Sequence, residues 1–387
     1  MQIDPHDITI CLEDEGLRDT PGAPLSTPIV QTSLFSYPTF ETLIEALGAE
    51  HEHPVYSRGQ NPTVEVVERK LAALERGERC KCFGSGMAAI NAVMLGTLQT
   101  GDHVLFLNQV YGPTLQLAEH LERFGVTHTR HLDLDLDSIG AAIRPETRLI
   151  WLESPGTMLM RVVDIRGVAE IARARGIATC IDNSWATPLL QKPLTMGIDI
   201  VVHTASKYLG GHSDVMAGAV ISTEERMREL FYRAFLLNGG ILTPSDAWLL
   251  LRGMRTLPVR LAQHEEAGLQ VARYLAAHPR IGRVHHPALN PDLELVESQQ
   301  SGHSGLFSFE LSGAGFPEVR DFINALEVPR IGVSWGGVES LVISPHRGTD
   351  EEHLEQAGLP RGLVRISVGL EGADRIVADL DQALART

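Results

Sequence analysis

A lysine at the mouth of a buried strand is the group in this sequence best suited to act as a nucleophile. Lys207 stands in His203-Thr204-Ala205-Ser206-Lys207-Tyr208-Leu209-Gly210-Gly211-His212-Ser213-Asp214, just beyond an apolar run at 198–202 that reads as a strand. Burial strips hydration from an ammonium and favours the neutral amine. A neutral amine can attack a carbonyl and form a Schiff base. The chain holds only four lysines. The other three have plain readings: Lys70 on the charged face of a helix, Lys81 between two cysteines, and Lys192 before Pro193 in a loop. A strand-end lysine taken alone is more often an ion-pair partner, so its companions must decide.

Those companions lie at other strand ends. Phe83-Gly84-Ser85-Gly86-Met87-Ala88-Ala89 turns from strand into helix, and successive N–H groups at a helix start bind phosphate. Gly84, Gly86 and Ala89 also satisfy the dinucleotide pattern G-x-G-x-x-A, but no acidic residue ends the next strand, so a single phosphate fits better. Asp182 follows an apolar run, where an unpaired carboxylate is costly and needs a cationic partner; a helix cap or salt bridge is the plainer reading. Tyr111 follows the run at 103–107 and can offer a flat face to a ring, or simply anchor its loop. A phosphate cradle, an amine, a carboxylate and an aromatic together are what pyridoxal 5′-phosphate requires. The N–H groups at Gly86 and Met87, with Thr204 and Ser206, would hold the phosphate, Tyr111 would stack on the ring, and Asp182 would keep its nitrogen protonated. Lys207 would carry the Schiff base.

The elements that must position these groups are legible as alternating strands and helices. Asn61 caps and Pro62 opens a helix, with Val64, Val67, Leu71 and Leu74 at helical period and Gly77 ending it. Strands follow at 80–83, 103–107, 148–153, 177–181, 198–202 and 217–222, with helices at 87–98, 114–124 and 165–175, the last capped by Asp164. Apolar strands without alternation, separated by amphipathic helices, predict an α/β fold with a mostly parallel sheet covered on both faces. Ligands gather at the carboxyl ends of such strands. Residues 1–56 read as an N-terminal arm with at most a short helix at 40–47. Residues 57–245 read as the large, cofactor-binding domain and 246–387 as a smaller α+β domain. In the latter, helices are expected at 245–256, 259–278 and 374–385, and 306–310 alternates like a half-exposed strand.

Composition narrows the function classes. The 387 residues carry a net charge of −16 with 43% apolar residues, which argues against a nucleic-acid surface. No apolar stretch reaches the length of a membrane span, and the first residues lack the features of a signal peptide. Four cysteines make no disulfide framework, and neither they nor the sixteen histidines show a metal-ligand spacing. Buried thiols, no metal and a reducing, cytoplasmic setting are expected.

Several segments carry a family resemblance over essentially the full length. They are Tyr56-Ser57-Arg58 with Asn61-Pro62-Thr63, the turn at 84–89, Tyr111-Gly112-Pro113-Thr114, Glu153-Ser154-Pro155-Gly156, Asp182-Asn183-Ser184-Trp185 and the Lys207 segment. Ser334-Trp335-Gly336-Gly337-Val338-Glu339-Ser340 and Arg365-Ile366-Ser367-Val368-Gly369 complete the set. The chain resembles the Cys/Met-metabolism family of pyridoxal-phosphate enzymes, and within it the bacterial cystathionine β-lyases. The resemblance implies the fold-type I, aspartate-aminotransferase-like architecture. It implies that Tyr56 and Arg58 reach the phosphate of a neighbouring subunit, so that the site is shared across a dimer, with a homotetramer as the usual assembly. Ser334 and Arg365 would hold the substrate α-carboxylate, and Tyr111 would take a proton from the substrate ammonium.

The implied substrate is a small amino-acid thioether, and the expected reaction is α,β-elimination of L-cystathionine to homocysteine, pyruvate and ammonia, with Lys207 as base. Trp335, bordering the substrate, and Pro113 lean that way. The string Tyr56-Ser57-Arg58-Gly59-Gln60-Asn61-Pro62 looks instead like the γ-acting branch: cystathionine γ-synthase, cystathionine γ-lyase or O-acylhomoserine sulfhydrylase. A nucleotide-linked oxidoreductase and a catalytically silent scaffold are the rivals from other classes, and the joint presence of Lys207, Asp182, Tyr111 and Arg365 argues against both.

Overall fold

The computed structural model describes residues 1–14, 22–348 and 351–386. Its central sheet has seven strands: β1 (Arg79–Phe83), β2 (His103–Leu107), β3 (Thr127–His131), β4 (Thr147–Glu153), β5 (Ala178–Asp182), β6 (Ile200–His203) and β7 (Gly218–Ser222). Their spatial order is 1-7-6-5-4-2-3. From β6 to β3 all neighbours are parallel, and β7 runs against both β1 and β6. Adjacent residues point to opposite faces, and both faces are apolar. Leu105, Leu107, Ile181 and Val201 enter a core shared with the helices Pro62–Glu75 and Ile165–Arg173. Val104, Phe106, Trp151 and Val202 enter another shared with the helices Gly86–Thr97 and Gly112–Leu121. This double burial explains why the strands read as continuous apolar runs.

A second sheet contains β8 (Ile281–His285), β9 (Leu306–Leu311), β10 (Arg330–Ile331), β11 (Leu341–Ile343) and β12 (Leu363–Ser367), in the order 10-11-12-9-8. Phe307, Phe309, Val364 and Ile366 pack with Val271 and Leu275 of the helix Leu257–Ala277. Strand alternation then turns Ser308, Arg365 and Ser367 to the opposite face.

Several expectations need correction. β9 is buried on both faces rather than half-exposed, because Leu306 joins the first core and its carbonyl accepts from Trp185 Nε1 at 2.9 Å. The N-terminal segment holds a second helix, Pro5–Leu12, capped by Asp4 and pinned by buried Asp7, which pairs with Arg76 and Lys192. Lys70 is buried rather than on a charged face, with its Nζ 2.8 Å from Asp14. The polar edge strand β3 lacks an apolar signal and pairs in the sheet with β2 on one side, with Arg130 and His131 bonded to Ala357 and Ser138.

Tyr208 fastens the turn after β6 to the second sheet. It is fully buried, its hydroxyl accepts from the Gly305 N–H at 3.0 Å, and its carbonyl accepts from Arg260 Nη2 at 2.9 Å. Tyr208→Phe keeps the ring but leaves that N–H unsatisfied, at an expected cost of about 1–3 kcal/mol. The checking measurement is the urea midpoint, and a midpoint equal to that of the parent protein would refute the role.

Candidate active site

Lys207 occupies the turn immediately after β6. Its N–H bonds the Thr204 carbonyl at 3.1 Å, and its carbonyl accepts from Gly211 N–H at 2.7 Å, which fixes the backbone under the side chain. Nζ lies 2.7 Å from Ser334 Oγ and 5.4 Å from the centre of the Trp335 ring. Burial, reinforced by repulsion from Arg365, lowers the amine to about 8, against the pull of Asp182. The neutral amine needed for attack on a carbonyl is therefore accessible near neutral pH.

The glycine turn after β1 opens the helix Gly86–Thr97. Ser85 caps it by accepting from the Ala88 N–H at 3.1 Å, leaving the first two N–H groups, those of Gly86 and Met87, without helical partners. Thr204 packs directly on Gly86: a Cβ at position 86 would come within 2.3 Å of Thr204 Oγ1, so only glycine fits. Ser206 Oγ accepts from the Ala217 N–H at 2.8 Å, tying the Lys207 turn to the start of β7. Two free N–H groups at a helix start beside a threonine hydroxyl form an anion cradle.

Asp182 ends β5, in register with Glu153 at the end of β4 and Val202 on β6. One of its oxygens takes both the Ser184 N–H, at 3.0 Å, and the Ser184 hydroxyl, at 2.5 Å; the other takes no hydrogen bond among the described residues. Burial raises its pKa, against His203 and Lys207, and no cation pairs with it among the described residues. Glu153 is buried as well and pushed well above the usual carboxylate range by desolvation and by the charge of Asp182. It accepts the Tyr111 N–H at 2.5 Å, which places Tyr111 at the head of the helix Gly112–Leu121 with its side chain exposed.

Arg365 is buried, and its Nη2 donates to the Val333 carbonyl at 2.9 Å. Desolvation lowers it to about 10, against the attraction of Glu153 and Tyr111. No carboxylate pairs with it among the described residues, although a guanidinium fork is made for one. The loop bearing Ser334 and Trp335 presses on the Lys207 turn: Gly336 has φ +81°, and a Cβ there would meet Tyr208 N at 2.8 Å. The Trp335 ring lies 5.6 Å from that of Tyr208.

Chain folding thus gathers Lys207, Asp182, Gly86, Met87, Thr204, Ser206, Tyr111, Ser334, Trp335 and Arg365 around the carboxyl ends of the large sheet. Tyr56 and Arg58 stand apart. Both are exposed, the guanidinium 5.8 Å from the Tyr56 ring, and neither contacts Lys207 or Asp182 among the described residues. Glu153 appeared in the sequence only as part of a motif, although it ends an apolar strand just as Asp182 does. For pyridoxal 5′-phosphate the residues fit: free N–H groups for the phosphate, a carboxylate lacking a cation for the ring nitrogen, and an amine for the aldehyde.

Comparison with known proteins agrees with this donor set. A profile of the Cys/Met metabolism PLP-dependent enzymes matches residues 9–385. The L-methionine gamma-lyase of Pseudomonas putida is 40% identical over 372 residues, covering 94% of this chain and 93% of that protein. The cystathionine beta-lyase of Bacillus subtilis is 38% identical over 367 residues, covering 93% and 91%. The solved cystathionine gamma-lyase of Lactobacillus plantarum, complexed with L-serine, superposes with a TM-score of 0.89 at 35% identity, covering 98% of each chain. The chain belongs to the Cys/Met-metabolism family of PLP-dependent enzymes and has its α/β, fold-type I architecture. The expected special nearness to β-lyases is corrected, since γ-acting relatives match at least as well.

A buried amine lowered to about 8 makes a kinetic prediction. Apoprotein offered pyridoxal 5′-phosphate should capture it at a rate that rises with pH and levels off above about 8, where Lys207 is neutral. Arg365→Gln removes a repelling charge, so that midpoint should move upward. Stopped-flow absorbance reads both, and a parent midpoint near the ordinary 10.5 would contradict the burial argument.

Proposed function

We propose that this member of the family cleaves the carbon–sulfur bond of an amino-acid thioether at its γ-carbon. The carrying observation is the placement of a lysine lowered to about 8 near a carboxylate and a buried arginine, neither of which has an ion-pair partner among the described residues. Support for γ over β comes from relatives: a γ-lyase at 40% identity and a γ-lyase structure at a TM-score of 0.89. A second reading, β-elimination of L-cystathionine, is favoured by Trp335, whose ring sits over the Lys207 amine and narrows the space beside it.

Pyridoxal 5′-phosphate, when bound, supplies an electron sink for negative charge developing at the substrate Cα. Gly86, Met87, Thr204 and Ser206 would hold its phosphate, Asp182 would hold the proton on its ring nitrogen, and Lys207 would be its attachment point. Tyr111 would lie against the ring and accept the proton of the substrate ammonium. Arg365 takes the α-carboxylate in a bidentate fork, and Ser334 keeps Lys207 directed at that site. Lys207, its amine freed once the substrate amine takes its place, would then remove the Cα proton, and for γ-chemistry the same amine would move a proton at Cβ before one is returned to the departing sulfur. A single base serving successive steps requires a stiff frame, which strand-end residues supply. Tyr56 and Arg58, exposed on their own subunit, are assigned to the phosphate of a second copy, so the active unit is a homodimer or a tetramer of such dimers.

Three outcomes test these assignments. Incubation with L-cystathionine or L-methionine should yield 2-oxobutyrate as the main oxo acid, while L-cysteine, which has no γ-carbon and can give only pyruvate, should be turned over slowly; pyruvate as the main product from L-cystathionine would establish the β reading instead. Lys207→Ala should lower kcat by about 10³-fold or more. Arg58→Ala should be weakly active alone, and mixing it with Lys207→Ala should restore part of the activity through hybrid dimers. Absence of rescue after subunit exchange would remove the shared site.

A further inference from the structure

Beneath the catalytic groups lies a buried polar network that none of the chemistry above uses. Glu75 ends the helix Pro62–Glu75 and is wholly buried. One of its oxygens accepts from two donors, Asn183 Nδ2 at 2.8 Å and His203 Nε2 at 2.6 Å. Asn183 directly follows Asp182 beyond β5, and His203 is the last residue of β6, directly before Thr204. Gln191 extends the network, its Nε2 donating to Asn183 Oδ1 at 3.0 Å and to the Ser154 carbonyl, just beyond β4, at 2.9 Å. Gln300 Nε2 in turn donates to Gln191 Oε1 at 3.2 Å. Glu75, Asn183, His203 and Gln191 are each no more than 1% exposed.

Polar pins at this depth need a reason. Burying a carboxylate carries a desolvation penalty, and well-packed apolar side chains would hold the same elements without it. Hydrogen bonds add direction, which dispersion packing lacks. The three strand ends joined here, β4, β5 and β6, are those that carry Glu153, Asp182 and Lys207. His203 is also among the groups that stabilise the Asp182 anion.

We propose that Glu75 is a positioning residue for the cofactor site: by gripping Asn183 and His203 with one oxygen, it sets Asp182 against the Thr204–Lys207 turn. The inference rests on the pyridoxal-phosphate reading and deepens it. Glu75 touches neither substrate nor cofactor and acts only through the two strand ends.

Glu75→Gln keeps the shape of the side chain and lets its amide oxygen face both donors, but removes the charge that strengthens the two bonds. Apoprotein of the parent and of the variant is titrated with pyridoxal 5′-phosphate, following visible absorbance and induced circular dichroism. The cofactor is achiral, so its dichroism reports how rigidly the site orients it. The variant should bind about tenfold more weakly, the size of the charge assistance lost from the two bonds, with a smaller dichroic signal per bound cofactor. A purely structural role would lower the melting temperature and leave affinity and dichroism unchanged, and that result would overturn the proposal alone. A parent protein that takes up no cofactor would overturn the functional reading and this inference together. Should Glu75→Gln fail to fold, His203→Gln, which leaves the Asn183–Glu75 bond in place, carries the same expectation and the same overturning result.

Discussion

The site is built around charges that the chain itself leaves unbalanced. Among the described residues no cation pairs with Asp182 and no anion with Arg365, and Lys207 is held in a setting that disfavours its own charge. A folded protein ordinarily avoids each of these, because a buried charge without a partner is expensive. Here all three surround one point at the end of the sheet. Their demands are complementary to a single kind of visitor: a cationic ring nitrogen for Asp182, a carbonyl for Lys207 and a carboxylate for Arg365. Pre-orienting such groups is the means by which a protein stabilises charge that appears only during reaction.

Holding unbalanced charges in place requires a rigid frame, and the double-faced sheet provides it. β2, β4, β5 and β6 are packed on both sides, so none of their carboxyl ends can shift without disturbing two cores. The second sheet contributes Arg365 by alternation, Val364 and Ile366 entering its own core while the residue between them faces away. Tyr208 joins the two halves one residue from Lys207, through its hydroxyl to Gly305 and its ring to Trp335. The Lys207 turn and the loop of Ser334 and Trp335 are therefore referred to the same buried side chain.

Much of this was legible in the sequence because burial leaves a strong local signature. The apolar runs ending in Glu153, Asp182 and His203 marked the sheet and its chemical edge, and Asn61-Pro62 marked a helix start that the Asn61 side chain indeed caps. Asp4-Pro5 carries the same capping signal, yet that helix was unread amid the surrounding turn formers. β3, whose sequence is Thr127-His128-Thr129-Arg130-His131, had no signal to read, since an edge strand draws its order from its neighbour rather than its composition. Partners distant in sequence were equally invisible. Nothing local tells that Lys70 will meet Asp14, or that Glu75 will meet His203. Charged residues in a helix pattern default to solvent, and only the tertiary fold overrides that default.

The pair of carboxylates at the ends of β4 and β5 shows how the frame also assigns protonation. Glu153 and Asp182 are register partners, and each raises the cost of ionising the other or feels that cost from burial. Two neighbouring carboxyl groups in a desolvated setting do not both ionise freely. Asp182 receives two hydrogen bonds from Ser184, while Glu153 receives one from the Tyr111 N–H and is pushed well above the ordinary range. Ionisation is therefore less costly at Asp182, next to the amine, than at Glu153, next to Tyr111 and Arg365. A charged Glu153 would compete for the Arg365 guanidinium with an incoming carboxylate, and burial works against that charge.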